Sequence, residues 1–296
     1  MKKLRLGVLG MSEGNGHPYS WSAIFNGYDP IAMANCPFPT IPEYLSKEAY
    51  PEQFLLDIAE VTHVWTQDEV ISQAIAKAAK IEKVVRYYTD MIDEVDAVLL
   101  ARDDAEKHYE MALPFLKAGV PIFIDKPLAL EVAVAKQLLA AQQYDHQLFT
   151  CSSLRYAKEL LLSEAEKEAI GAIYHVEASI MKYWETYGIH LLEPIVINLP
   201  HRGALQKVTK MESIKMHQVH ISWEQATATV KVTGSQVVPL EFTYYGSKGM
   251  IRKNFSDSFA CFKASLLAFI TQIQTQKISI ARAETLELTE LIERGK

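Results

Sequence analysis

An apolar segment that ends in an acid, a lysine and a proline constrains the fold of this chain more than any other feature. The segment reads Gly119-Val120-Pro121-Ile122-Phe123-Ile124-Asp125-Lys126-Pro127. This pattern predicts a short buried strand, and ligands of open α/β sheets bind at the carboxyl ends of such strands. Lys126 is therefore a candidate for contacting a ligand or substrate hydroxyl, with Asp125 beside it. An ordinary strand-to-helix turn with an exposed lysine is the alternative.

The residues before this segment predict a strand–helix–strand unit. Residues 96–101 form an apolar run that is typical of a buried strand, and residues 106–117 carry apolar side chains at helical spacing. Gly119 stands where a glycine commonly ends a helix. Because two parallel strands joined by a helix end at the same edge of a sheet, we expect Arg102 and Lys126 to lie on that edge.

Length and composition indicate two domains and a small-molecule ligand. The 296 residues exceed the roughly 100–200 of a usual domain, and 49% of them are hydrophobic. A formal charge of -6 without lysine and arginine clusters argues against nucleic-acid and membrane-surface binding. No apolar run is long enough to span a membrane, and the run that ends at Gly10 is too short for a signal peptide. The 3 widely spaced cysteines suit reduced thiols, so we expect a cytoplasmic location.

The pattern of predicted elements changes near residue 152. Before it, further strands are predicted at 3–10, 61–66, 83–88 and 147–152, with helices at 18–26, 68–79 and 130–143 and an inserted loop at 29–50. After it, β-rich segments are predicted at 173–182, 207–211, 217–223, 227–233 and 241–245, with two final helices at 259–276 and 281–294. We therefore predict an α/β protein with a Rossmann-like doubly wound parallel sheet in residues 1–152. Residues 153–296 are predicted to form an α+β substrate-binding and oligomerisation domain with an open, mainly antiparallel sheet.

A glycine-rich loop follows the first predicted strand. Its candidate cofactor-binding residues are Gly10, Ser12, Gly14, Asn15 and Gly16. Backbone N–H groups at such a loop, ahead of a helix, bind a pyrophosphate. The spacing departs from G-x-G-x-x-G, so a plain flexible turn is an equal alternative. After the second strand Thr66 takes the place of the acid that binds ribose hydroxyls in many dinucleotide folds, and it is a further cofactor-binding candidate.

The combination of these features resembles the glucose-fructose oxidoreductase and inositol dehydrogenase (Gfo/Idh/MocA) family. It includes the first βαβ domain, the acid-Lys-Pro after the fifth strand, a histidine some sixty residues later, an open sheet and a closing helix. The resemblance implies NAD(P)-dependent hydride transfer to or from a hydroxyl-bearing carbon of a sugar, cyclitol or related small molecule. It implies NAD or NADP as the cofactor.

The family's site residues carry over only in part. The acid-Lys-Pro motif falls on residues 125–127 with aspartate in place of glutamate, and the family's Asn-x-Arg keeps its arginine at Arg155. The catalytic histidine falls on His190, but the aspartate four residues before it is replaced by Thr186. Glu193 stands where an aspartate is common. The resemblance implies a substrate site that includes Asp125, Arg155 and Tyr187.

The chemistry of these residues suits alcohol oxidation, although His190 and Tyr187 each have an alternative, structural interpretation. His190 is the candidate base for the hydroxyl proton and Lys126 the candidate stabiliser of the alkoxide. Without an aspartate at position 186, either Glu185 or Glu193 orients His190, or His190 is a structural histidine. Tyr187 either stacks on a sugar ring or packs the sheet. No G-x-S-x-G surrounds Ser152, which argues against a hydrolase triad. A non-catalytic dinucleotide- or sugar-binding protein on the same fold is the alternative function.

Three further expectations concern metals, assembly and cofactor choice. His217 and His220 are three residues apart on a predicted strand and so face opposite sides, which argues against a metal site. An open sheet leaves a face to cover, and we expect a homodimer or homotetramer. With Thr66 in place of an acid, NADP is expected to be at least tolerated, although no cation follows at Gln67.

Overall fold

The computed structural model describes residues 3–211 and 215–296, and the chain divides into two compact units. The first contains Met1–Ala129, Ala133–Cys151 and Phe262–Arg282. The second contains Leu130–Val132, Ser152–Cys261 and Ala283–Lys296. The predicted boundary at residue 152 falls at one change of unit, but a single boundary omits residues 262–282, which return to the first unit.

The first unit is a doubly wound parallel sheet, as predicted. Its strands are β1 (Leu4–Leu9), β2 (Ala59–Trp65), β3 (Lys83–Val84), β4 (Ala97–Leu100), β5 (Ile122–Ile124) and β6 (Leu148–Phe149). Its helices are α1 (His17–Asn26), α2 (Pro30–Met33), α3 (Thr40–Leu45), α4 (Glu69–Ala78), α5 (His108–Lys117) and α6 (Val132–Ala140). All strand pairs are parallel and the order is β3-β2-β1-β4-β5-β6. The order reverses between β1 and β4, so the ligand crevice of the fold lies beyond their carboxyl ends.

Two local predictions for this unit are wrong. The segment 29–50 is not simply a loop, because it contains α2 and α3. Asp29 accepts a hydrogen bond from Ala32 N at 2.9 Å and Pro30 opens α2, which together form an N-terminal capping signal. The third strand stops at Val84 instead of residue 88, because the chain turns there into a short 3₁₀ segment at Tyr88–Met91.

Aromatic side chains fill the core of the first unit. The indole of Trp21 in α1 stacks on Phe123 in β5 at 4.8 Å, and Phe123 meets Phe149 in β6 edge-on at 4.8 Å. Phe269 lies 5.7 Å from Phe123 and 5.8 Å from Phe149, measured between ring centroids. Because Phe269 belongs to residues 262–282, this cluster explains why that segment packs with the first unit.

The second unit contains a six-stranded, mainly antiparallel sheet, as predicted. Its strands are β7 (Ile173–Ile180), β8 (Leu205–Met211), β9 (His217–Trp223), β10 (Thr227–Val232), β11 (Glu241–Gly246) and β12 (Gly249–Asn254). The helices of this half of the chain are α7 (Glu164–Ile170), α8 (Trp184–Asn198), α9 (Ser258–Thr275) and α10 (Arg282–Gly295). The order is β12-β11-β7-β10-β9-β8, and every pair is antiparallel except β7 with β10.

The two faces of this sheet differ in character. Val176, Ala178 and Ile180 of β7 are buried at alternate positions, and α8 packs against β7 and β10. The opposite face carries polar, half-buried side chains that are aligned by the strand register; these are His175, His220, Thr227, Thr229 and Tyr245. Alternation of this kind is typical of an antiparallel sheet with one face on a core.

We expect Phe269→Ala to lower the free energy of unfolding by about 3–5 kcal/mol, because a fully buried ring is removed from a packed aromatic cluster. Leu267→Ala, on the same helix but 37% exposed, is the matched control and should cost no more than about 1 kcal/mol. Urea denaturation of both variants measures the difference. Equal effects would contradict the packing of residues 262–282 in the first unit.

Candidate active site

The glycine-rich loop joins β1 to α1 at the carboxyl edge of the first sheet. Gly10 has a φ of +80°, and a Cβ there would lie 2.5 Å from Arg102 Cδ, so glycine is needed at this point. In the part of the chain that the structure describes, no acceptor is bonded to the backbone N–H groups of Glu13 and Gly14. Available N–H groups ahead of a helix N-terminus suit a phosphate.

A buried ion pair joins the residues that follow β4 and β5. Lys126 Nζ lies 3.1 Å from Asp103 Oδ2, and the two side chains are 3% and 11% exposed. Ser12 Oγ donates to Asp103 Oδ1 at 2.6 Å and accepts from Asp103 N at 3.1 Å. The loops after β1, β4 and β5 are thereby tied together at the reversal point of the sheet.

The electrostatics of this pair favour its charged form. Burial by itself raises the pKa of Asp103, but the Lys126 ammonium and the hydrogen bond from Ser12 outweigh burial and hold that pKa well below its usual range. Asp103 is therefore ionised at neutral pH, and Lys126 has a counter-ion beside it. A cation held in this way suits stabilisation of developing negative charge.

Asp125 lies beneath this cluster and is 1% exposed. Its Oδ2 accepts from Asn15 Nδ2 at 2.9 Å and lies 2.6 Å from His17 Nδ1, while its Oδ1 accepts from Lys126 N at 2.8 Å. His17 in turn stacks on Trp21 at 4.7 Å. Both carboxylate oxygens of Asp125 thus bind groups of the protein, which position the glycine-rich loop relative to β5.

His108 is a positioning residue that the sequence interpretation did not single out. Its side chain is fully buried, with Nε2 2.8 Å from Arg102 O and Nδ1 3.0 Å from Leu128 O. It therefore links the segment after β4 to the segment after β5 on either side of the Asp103–Lys126 pair. The available signal was a histidine on the buried face of the predicted helix at 106–117.

Thr66 lies after β2, with its hydroxyl directed to the start of α4. The hydroxyl donates to Asp68 O at 2.6 Å and lies 2.9 Å from Ser72 Oγ. Gln67 Nε2 donates to Met11 O of the glycine-rich loop at 2.5 Å. Beside these residues a cleft of about 840 Å³ opens at the carboxyl ends of β2 and β3.

His190 lies on α8 in the second unit. Its Nδ1 is 2.7 Å from Ser152 Oγ, and its ring meets the ring of Tyr187 edge-on at 5.0 Å. Lys182 Nζ donates to Tyr187 Oη at 2.5 Å and sits 4.4 Å from the centre of that ring. Ser152 therefore contacts the imidazole, in a position for which the sequence had suggested only acidic partners.

A buried carboxylate lies one turn beyond His190. Glu193 is 3% exposed; its Oε1 accepts from Ser152 N at 2.6 Å and its Oε2 from Arg155 Nη1 at 3.2 Å. Arg155 also bonds Glu284. Burial raises the pKa of Glu193 to about 7, against the opposing effect of the Arg155 guanidinium. Arg155, a predicted substrate residue, is thus held between two carboxylates.

The structure brings the predicted residues together in two groups. In the first unit Gly10, Ser12, Asn15, Asp125 and Lys126 meet at one edge of the sheet. In the second unit Arg155, Tyr187 and His190 lie around one end of α8. Thr66 lies apart from the first group, on the α4 side of the sheet.

The histidines of β9 have separate partners. His217 Nε2 lies 2.5 Å from Gly295 O and its ring stacks on Trp184, whereas His220 Nδ1 lies 3.2 Å from Thr229 Oγ1. Across residues 3–211 and 215–296, no group of three or more histidine, cysteine, aspartate or glutamate side chains is arranged to hold a metal ion.

Comparison with known families identifies the first unit. A family model described as the oxidoreductase family with an NAD-binding Rossmann fold, GFO_IDH_MocA, matches residues 44–152. Residues 44–152 of this chain are thus similar to the Gfo/Idh/MocA oxidoreductase family. The match confirms the resemblance found in the sequence and the predicted nicotinamide-dinucleotide-binding fold. No curated protein matches the chain in sequence.

Solved structures of similar fold cover nearly the whole chain. A putative myo-inositol dehydrogenase from Sinorhizobium meliloti is 15% identical with a TM-score of 0.70, covering 98% of this chain and 95% of its own. GenD2 from gentamicin A biosynthesis, in complex with NAD, is 16% identical with a TM-score of 0.72, and the match covers 99% of this chain and 93% of GenD2. Biliverdin reductase from Synechocystis, in complex with biliverdin and NADP+, is 14% identical with a TM-score of 0.69, and the match covers 98% of this chain and 97% of the reductase. At these identities the likeness establishes the fold.

None of the helices in the described part of the chain has both the length and the apolar character needed to cross a membrane.

The raised pKa of Glu193 predicts a specific pH dependence of stability. Between about pH 4.5 and 7 the folded protein keeps a proton that the unfolded chain releases, so the free energy of unfolding should fall as pH rises, by roughly 3 kcal/mol. Glu193→Gln should remove that slope, whereas Glu168→Gln, at an exposed position, should leave it unchanged. Urea denaturation across this pH range tests the difference. Parallel stability curves for wild type and Glu193→Gln would contradict it.

Proposed function

We propose that this protein is an NAD(P)-dependent oxidoreductase that transfers a hydride to or from a hydroxyl-bearing carbon of a sugar, cyclitol or related small molecule. The observation that carries the proposal is the buried Lys126–Asp103 pair beside the glycine-rich loop, at the crevice of an NAD-binding Rossmann fold. Solved structures of similar fold include a putative myo-inositol dehydrogenase and a UDP-N-acetylglucosamine 3-dehydrogenase.

The residues at this edge fit a dinucleotide. The loop of Gly10 to Gly16 presents the N–H groups of Glu13 and Gly14, which we assign to the pyrophosphate. The cofactor, when bound, supplies the nicotinamide carbon that accepts or donates the hydride. Ser12 and Lys126 would face it from the loops after β1 and β5.

Lys126 acts on the developing charge of the substrate oxygen. Because Asp103 keeps a negative charge next to it, the ammonium is retained in a largely buried position. As the hydroxyl proton leaves, an adjacent ammonium stabilises the alkoxide more than the alcohol, which lowers the barrier. Lys126 is thus assigned to electrostatic stabilisation and not to proton abstraction.

His190 is assigned the proton transfer. An imidazole titrates near neutral pH and is the most common general base. Ser152 Oγ at 2.7 Å from Nδ1 fixes the ring orientation in place of the family's aspartate, and Nε2 is then the nitrogen that exchanges the proton. Tyr187, in contact with His190, is assigned to the substrate side of the same site.

A non-catalytic binding protein is the second candidate. It is favoured by Ser12 and Asp103, which bond each other across the crevice, and by Thr186 in place of the family's aspartate. Tryptophan fluorescence titration with NADH and NADPH, followed by a screen of sugars, cyclitols and sugar acids with both oxidised cofactors, separates the two functions. Cofactor binding without turnover of any substrate would favour the second.

Substitution of the two assigned residues tests the mechanism. Lys126→Ala should lower kcat by roughly 10²–10³ and His190→Ala by roughly 10²–10⁴, the latter also removing the limb of the pH profile that the imidazole contributes. Lys117→Ala and His201→Ala, both at exposed positions, are the controls and should keep wild-type rates. Circular dichroism checks that each variant is folded. Wild-type turnover in both site variants would exclude this site.

Assembly and location complete the proposal. We infer a cytoplasmic homodimer or homotetramer that forms through the polar face of the second unit's sheet, the side opposite α8. Light scattering should give at least twice the chain mass of 33.4 kDa. Thr229→Arg on that face should reduce the mass to one chain, whereas Glu168→Arg on α7 should not. A wild-type monomer at micromolar concentration would refute the inferred homodimer or homotetramer. The buried thiols of Cys36, Cys151 and Cys261 form no disulfide bond with one another, which fits a reducing compartment.

A further inference from the structure

The cleft at the carboxyl ends of β2 and β3 has the chemistry of a site for an aromatic, anionic group. Its aromatic lining residues are Trp65, Tyr87 and Tyr88, and its charged ones are Glu69 and Arg86. Trp65 and Tyr88 meet edge-on at 5.1 Å. Aromatic faces of this kind stack on a purine, and a guanidinium binds phosphate oxygens in pairs.

Arg86 is held in this cleft from two sides. Its carbonyl oxygen accepts a hydrogen bond from Trp65 Nε1 at 3.2 Å, and its guanidinium carbon lies 5.4 Å from the centre of the Tyr87 ring. Throughout the described residues, no carboxylate forms a salt bridge with Arg86. Trp65 thus fixes the backbone of Arg86 and Tyr87 flanks its exposed guanidinium, which is available for an anion from outside the protein.

The cleft adjoins the glycine-rich loop. Gln67 lines the cleft, and its Nε2 donates to Met11 O of that loop. The following step rests on the proposed function. If the loop binds the pyrophosphate, the adenosine half of the cofactor extends toward β2 and β3, since these strands lie on that side of β1.

We propose that Arg86 binds the 2′-phosphate of NADP and makes this protein prefer NADP over NAD. Thr66, the residue at which the sequence places cofactor choice, has its hydroxyl bonded within the start of α4. The missing cation at Gln67 is supplied instead by Arg86, two residues after the end of β3 and about twenty residues further along the chain. Glu69 is the one acidic residue that lines the cleft and opposes this preference.

Binding of adenine nucleotides, without any substrate, tests this assignment. The full-length protein is titrated by calorimetry with adenosine 2′,5′-bisphosphate and with 5′-AMP, which differ only in the 2′-phosphate. We expect the bisphosphate to bind about 10- to 100-fold more tightly. Arg86→Gln should abolish that difference by weakening the binding of the bisphosphate alone. Glu69→Gln should tighten the binding of the bisphosphate.

Lys83→Gln is the matched control, because it removes a positive charge three residues before Arg86 at a position that does not line the cleft. It should leave both affinities unchanged. Tighter binding of 5′-AMP, or loss of both affinities alike in Arg86→Gln, would overturn the role of Arg86 while the oxidoreductase proposal stands. Failure of the wild type to bind either nucleotide, NADH or NADPH would overturn both.

Discussion

The buried contact between Lys126 and Asp103 is the interaction on which the first unit's site depends. An unpaired charge in such a position would cost several kcal/mol, so each residue requires the other. Ser12 bonds the same carboxylate, and the loops after β1, β4 and β5 therefore hold one another in place. His108 and Asp125 extend this network through buried contacts to Leu128, Arg102, Asn15 and His17.

In the second unit a similar network of buried polar contacts surrounds His190. Arg155 is held between Glu193 and Glu284, and Glu193 accepts from Ser152 N, while Ser152 Oγ contacts the imidazole. A chain of buried polar contacts thus fixes the ring in one orientation. Such networks position side chains more rigidly than exposed contacts, because each member would lose buried hydrogen bonds on moving.

The departures from the family pattern are compensated in space. Thr186 removes the carboxylate expected beside His190, and the hydroxyl of Ser152, some 38 residues away in sequence, contacts the ring. The acid absent after β2 has no substitute at Thr66, and the charged residues near that position come from α4 and from the end of β3. Replacement of one residue therefore does not by itself remove a function from the site.

The fold class and most elements of the chain follow from patterns in the amino-acid sequence. Apolar runs bounded by glycine and proline located the parallel strands, and alternation located the antiparallel ones, because both patterns depend only on local periodicity. The sequence also placed Lys126, Asp125 and the glycine-rich loop at one edge. The sequence pattern did not predict α8, because this helix is buried on nearly all sides and lacks a distinct apolar face. It also placed one domain boundary at residue 152, whereas residues 262–282 belong to the first unit. The contacts between distant residues are visible only in three dimensions: Asp103 with Lys126, Ser152 with His190, and Arg86 with Trp65 beside the cleft. These pairs are 20 to 40 residues apart in sequence, and their contact follows from strand order and loop geometry, which no local pattern specifies.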